Sequence, residues 1–315
     1  MSEQTHKIEQ KDIIVPQIKT GETALVLQRH GRYDRDRAGK RAGSLFEDSA
    51  ASIKSSDEEW FRQVLSSPGD REKTYVLFVS SDTQYADNGF RSLETGQLAQ
   101  EAAWAVMEQR GVDPAEHIIN FNPNYKTARS DDTHQDIRPI PGLREPDIFN
   151  PRDKAYVRHL QETYGYADPD TKTGLSPEGW AVHEMDAAET VRNTTGAEGQ
   201  EDLIHRTKTS LALLERYARV WHASNPGKKL IIWATSHYDT INPLVKEVDG
   251  RLKNDDGSLT DEYQPVDYGG GVVIKFPSVE GGHATLETRV HHGRAIEIGR
   301  EATAHSVTRL GQPRY

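Results

Sequence analysis

Three short apolar runs in this chain stop abruptly at polar residues, and they limit the possible folds more than any other feature. They are TALVLQ (23–28), YVLFVSS (75–81) and KLIIWATS (229–236). A short apolar run closed by a turn signal reads as a buried strand. HIINF (117–121), GVVIKF (271–276) and ATLETRV (284–290) are weaker strand candidates, and the last two flank the turn-forming PSVEGGH as a hairpin would. Helical patterns lie between the strands. Residues 91–110 carry Leu93, Leu98, Ala102 and Val106, with Gly111 as a stop. Residues 201–222 set Ile204, Leu211, Leu214, Ala218 and Trp221 largely on one side. Strands alternating with long helices predict an α/β three-layer sandwich, its central sheet mainly parallel and flanked by helices.

Residues 122–200 interrupt the alternation and are rich in Asp, Pro, Thr and Gly. Their later part, about 146–200, is expected to be an inserted, lid-like segment. Within it Ser176 and Pro177 look like the cap and first position of a helix near 177–190. Residues 248–271 are expected to form a second, surface excursion, in which YGGGV reads as a turn or bulge. Residues 1–20 read as a polar N-terminal tail, and 21–315 as one α/β domain carrying the insertion, in keeping with a chain of 315 residues.

Composition removes several functions. A net charge of −10 argues against a nucleic-acid or anionic-membrane partner. Without cysteine there is no disulfide, thiolate chemistry or Cys-ligated zinc. No apolar stretch approaches the ~18 residues of a membrane span, and MSEQTHKIEQKD has no signal-peptide character. The expectation is a soluble, cytoplasmic protein.

The polar ends of the strands carry the chemistry. The first run leads into Arg29-His30-Gly31, the second ends at Ser80-Ser81 with Arg91 opening the following helix, and the third ends at Ser236-His237. In an open α/β sheet, ligands bind beyond the carboxyl ends of the strands, so two arginines and two histidines can converge there. Arginine presents a permanently charged fork that matches phosphate oxygens. Histidine can serve as nucleophile, acid or base. His291-His292 is not read as a metal site, because neighbours on a strand face opposite ways.

With these residues in place, the chain resembles the histidine phosphatase superfamily, the phosphoglycerate-mutase-like fold. LVLQRHG matches the family's opening strand and Arg-His-Gly motif. VSSDTQYADNGFRSLETGQLA looks like its Ser-Ser and Arg-containing segment, lengthened before Arg91. IIWATSHYDTI resembles the second histidine motif, and PGLREPDIF the segment that carries the proton donor. The resemblance implies that His30 is the phosphoacceptor, that Arg29 and Arg91 bind phosphate, and that His237 hydrogen-bonds the transferring phosphoryl group. It implies Glu145 as acid/base. Asp239, two residues past the second histidine, is the rival.

The reading that follows is a metal- and cofactor-free phosphomonoester hydrolase acting on a small phosphorylated substrate. The alternatives are a phosphoglycerate-mutase-type phosphotransferase and a non-catalytic phosphate-binding member of the fold. The family's mutases usually continue Arg-His-Gly with Glu-Ser-x-Trp-Asn and place the acid in Asn-Glu-Arg-x-Tyr-Gly. This chain has RYDRD and LREPDIF instead, which favours hydrolysis.

Overall fold

A computed structural model describes residues 13–33, 44–83, 91–119, 137–145, 154–167, 169–170, 172, 174–184, 188–249, 266–276, 284–287 and 294–296. Its strands are β1 (Thr23–Arg29), β2 (Thr74–Ser80), β3 (Ile118–Ile119), β4 (Arg138–Pro139), β5 (Lys229–Ser236), β6 (Gly271–Phe276), β7 (Ala284–Glu287) and β8 (Arg294–Ile296). They form one eight-stranded sheet in the order β3-β2-β5-β1-β6-β7-β8, with β4 also on β2. β1, β2, β3, β4 and β5 pair in parallel, whereas β6, β7 and β8 add antiparallel strands at one side. The sheet is therefore mainly parallel, and the hairpin expected at 271–290 is the β6–β7 pair.

Alternation along the strands builds the layers, because successive side chains face opposite ways. Ala24, Val26, Val76, Phe78, Ile231 and Trp233 pack against α1 (Glu47–Val64), through Trp60 and Phe61, and α3 (Arg91–Gln109), through Ala99, Ala102, Ala103 and Val106. Leu25, Leu27, Leu77, Val79, Leu230 and Ile232 face α8 (Gln200–Ser224), through Leu211, Leu214 and Ala218, and α9 (Tyr238–Asp249), through Ile241 and Leu244. This is a three-layer sandwich. Short helices α2 (Pro68–Arg71) and α4 (Pro114–His117) lead into β2 and β3.

Between β4 and α8 lie α5 (Lys154–Tyr164), α6 (Pro177–Glu184) and α7 (Glu189–Thr195), which enclose a small core of Tyr156, Val157, Leu160, Leu175, Ala188 and Ala197. Ser176 Oγ accepts from the Gly179 amide, as a cap does. The N-terminal arm has no regular element from residue 13 to 20, yet Ile13 and Ile18 are buried against the α1–α3 face, and Trp60 Nε1 donates to the Ile14 carbonyl. Most of the 248–271 excursion, and His291 and His292, lie outside the described residues. Tyr268 and Gly269 form a turn ahead of β6, as the YGGGV stretch suggests. Among the described residues no helix is long and apolar enough to cross a membrane.

Candidate active site

Strand register brings the polar residues together. β1 runs beside β5 with Arg29 opposite Ser236, and β2 runs beside β5 with Ser80 opposite Thr235. Three strands thus end level, so Arg29-His30, Ser81 and His237 emerge at one edge. β4 pairs with the end of β2, Ser80 opposite Pro139, and a 3₁₀ turn (Pro141–Leu143) then delivers Glu145 to the same edge. That loop is clamped from every side. The Ile140 amide donates to Ser80 O (2.7 Å), Ser236 Oγ to Leu143 O (2.6 Å), and Thr240 Oγ1 and Arg206 Nη2 to Arg144 O (2.9 and 2.8 Å).

His30 is buried, and its Nδ1 lies 2.7 Å from the Gly31 carbonyl. A carbonyl only accepts, so Nδ1 carries the proton and Nε2 keeps its lone pair. Burial pushes the His30 pKa well below the ordinary value; the Arg91, His237 and Arg29 side chains push the same way, and only the Gly31 bond opposes them. His237, also fully buried, is lowered by burial first and then by Arg91, Arg206 and Arg29. Both imidazoles are neutral at pH 7. Their ring centroids are 5.0 Å apart.

His237 is held by Nε2, which lies 2.9 Å from Ser81 Oγ and 3.0 Å from Ser92 Oγ. Its Nδ1 faces Glu145 Oε1 at 3.2 Å. The same carboxylate oxygen contacts Arg91, which opens α3 and is buried. The Glu145 amide donates to Thr83 Oγ1 (3.0 Å), which accepts from Ser81 Oγ (2.9 Å), so the acid's loop and the second histidine share one hydroxyl chain. Arg29 donates Nη1 to Val266 O (2.8 Å), while its buried Nε has no hydrogen-bond partner among the described residues. The Arg29 guanidinium lies between Tyr268 (3.8 Å to the ring centroid) and Tyr238 (4.7 Å).

Beneath the site, the Gln28 carboxamide ties three elements. Nε2 donates to Asp57 Oδ1 on α1 (2.9 Å) and to Gly269 O (3.1 Å), and Oε1 accepts from Trp233 Nε1 (2.9 Å). Asp57 is fully buried, and burial raises its pKa well above the ordinary value, against the Gln28 hydrogen bond, which lowers it.

Five of the six residues singled out in the sequence, Arg29, His30, Arg91, Glu145 and His237, share this edge. Asp239 lies half-buried in the first turn of α9. Packing requires glycine at position 31, since a Cβ there would overlap Ile53 Cδ1 and lie 2.8 Å from Ser49 Oγ. Sequence reasoning missed the clamping roles of Ser92, Thr83 and Arg206 and the tyrosines around the site. Ser92 directly follows Arg91, a signal that was there to be read, whereas Arg206 looks like any polar position on a long helix.

The ligand atoms of His30, Glu145 and His237 lie within 4.8 Å of one another, as a two-histidine, one-carboxylate metal centre would require. Two guanidinium groups beside them favour an anion there over a cation. The set suits a phosphoryl group: an unprotonated imidazole nitrogen, two arginines, a second imidazole and a carboxyl group.

No family model and no curated protein matches the chain. Among solved structures it is similar to a phosphoglycerate mutase from Bacillus anthracis, with 16% identity and a TM-score of 0.44 over 86% of this chain and 93% of that one. It is also similar to a mycobacterial glucosyl-3-phosphoglycerate phosphatase (16%, TM-score 0.39, 86% and 99%) and to a phosphoserine phosphatase from Entamoeba histolytica (12%, TM-score 0.40, 88% and 98%). These are members of the phosphoglycerate-mutase-like histidine phosphatase superfamily, the group that the motifs resemble. Likenesses of this order say nothing about activity, which has to come from the side chains.

Proposed function

We propose that the chain is a phosphomonoester hydrolase working through a phosphohistidine on His30. The observation that carries this reading is the buried His30 imidazole, its Nδ1 committed to the Gly31 carbonyl and its Nε2 left as a nucleophile among the Arg29, Arg91 and His237 side chains. Arg29 and Arg91 hold the non-bridging oxygens of the incoming phosphate, and His237, protonated as the phosphate dianion enters, donates a hydrogen bond to the same group. Positioning and charge stabilisation account for most of the rate in such a transfer.

Nε2 attacks phosphorus in line with the ester oxygen. The N–P bond forms as the P–O bond breaks, and the leaving alkoxide takes a proton from Glu145. Water then attacks the phosphoramidate and gives its proton to the Glu145 carboxylate. The N–P bond breaks, the electron pair returns to Nε2, and inorganic phosphate leaves. The arginines supply the positive charge, so no metal takes part.

The test is turnover of an aryl phosphate in excess chelator, with all products quantified. Stoichiometric release of inorganic phosphate and alcohol, undiminished by chelation, is the expected result. Transfer of the phosphoryl group to an added hydroxyl acceptor without phosphate release would make the chain a mutase. Absence of turnover with retained phosphate binding would make it a binding protein.

A further inference from the structure

His30 is flanked by two tyrosine rings. Tyr33 meets it edge-on, with centroids 5.4 Å apart, and Tyr268 lies 5.8 Å away at a tilt of 52°. Neither ring belongs to the three buried clusters of the fold. Each is also set against one of the two arginines: Tyr33 lies 4.0 Å from the Arg91 guanidinium and Tyr268 3.8 Å from that of Arg29. Guarding the arginines does not by itself explain Tyr268, a residue that stays 37% exposed although Arg29 already has Tyr238 on it.

The backbone on either side of Tyr268 is also held in place. Val266 O binds Arg29, the Val266 amide donates to Asn242 Oδ1 (3.2 Å), and Gly269 and Gly270 are bonded to the end of β1. Gly269 takes a φ of +74°, which a side chain there would strain, and a Cβ on Gly271 would lie 2.7 Å from Leu27 O. An exposed aromatic side chain on an anchored turn beside the His30 imidazole can meet the group that the phosphate is esterified to. Trp180 packs on the small core shared by α5, α6 and α7.

The geometry points to a specificity for the leaving group: the site takes phosphate monoesters whose alcohol carries a flat aromatic ring within a bond or two of the ester oxygen, stacked on Tyr268 and bounded by Tyr33. This rests on the hydrolase reading of the same site. An aromatic ring gains from an offset or edge-on aromatic neighbour beyond the area it buries, and a saturated ring of the same carbon count does not.

Benzyl phosphate and cyclohexylmethyl phosphate separate the two, since both release primary alcohols and the saturated ring is the more apolar. The benzyl ester is expected to show a KM lower by about 3- to 10-fold with kcat little changed. In Tyr268→Leu that KM ratio falls to about one, and in Tyr268→Phe it is retained. Calorimetric binding of benzylphosphonate and cyclohexylmethylphosphonate to the wild-type chain reads the same preference without turnover. If neither ester is hydrolysed while the phosphonates bind with the aromatic preference, the hydrolase reading fails and the specificity stands. Equal KM values and equal phosphonate affinities, or a preference unchanged in Tyr268→Leu, would overturn the proposal.

Discussion

Gly31→Ala tests how the nucleophile is held. The Gly31 carbonyl fixes the His30 tautomer, its amide donates to Thr95 Oγ1 (3.1 Å), and its α-carbon lies against α1. A methyl group there would overlap Ile53 Cδ1, approach Ser49 Oγ to 2.8 Å and Leu45 Cδ2 to 3.2 Å, and disturb the Ser49 hydroxyl that accepts from the Arg32 amide (2.9 Å). Overpacking of this kind costs about 1–3 kcal/mol, and a lost hydrogen bond adds about 1. The φ of Gly31 is not among the positive ones, so alanine fits the backbone, and the stiffer unfolded chain returns about 0.4–1 kcal/mol. The net loss expected is about 1–3.5 kcal/mol, read as a lower urea midpoint at unchanged slope. Turnover should fall as well, because relief requires moving either α1 or the carbonyl that orients His30. Ile53→Val removes the nearest atom and alone costs about 0.5–1.5 kcal/mol. The double variant should therefore lose less than the two single losses added together, by at least ~0.5 kcal/mol. A wild-type midpoint for Gly31→Ala, or strict additivity, would refute the packing argument.

Two further outcomes are expected. Glu145→Gln should slow an alkyl phosphate by roughly 10²–10⁴ and an activated aryl phosphate far less, as for a lost general acid; if Asp239→Asn shows that dependence and Glu145→Gln does not, the role passes to Asp239. His30 and His237, both with lowered pKa values, bind fewer protons folded than unfolded, so stability should fall as pH drops below about 6.5, each group adding up to about 1.4 kcal/mol per pH unit until its folded pKa is reached. Imidazole NMR resonances of these two residues that titrate at or above 6.5 would contradict that.

The sheet and its two long helices were legible because strands buried on both faces carry unbroken apolar runs, and because α3 and α8 keep their apolar residues toward one side. The convergence of Arg29, His30, Arg91 and His237 followed from the rule about strand ends. Helix α1 was not recognised, although Ile53, Asp57, Trp60 and Phe61 recur at helical spacing and are buried in the structure. One of those four is an aspartate, and a buried acid breaks an apolar pattern. β4, of two residues, and the turn carrying Glu145 have no periodicity to read; their place is set by bonds from four different elements. Tyr268 reaches His30 from more than 200 residues away, so no local pattern announces it, whereas Tyr33 follows His30 by three residues in the same stretch.

The most direct test is to look for the phosphoenzyme. The chain would be mixed with a slow aryl phosphate, quenched without acid, digested and examined by mass spectrometry, since a phosphoramidate does not survive acid. The account predicts phosphate on His30, carried on Nε2 by NMR of the trapped species, and none in His30→Ala, whose turnover is lost. Phosphate on another residue, or a His30→Ala variant that turns over like the wild type, would contradict it.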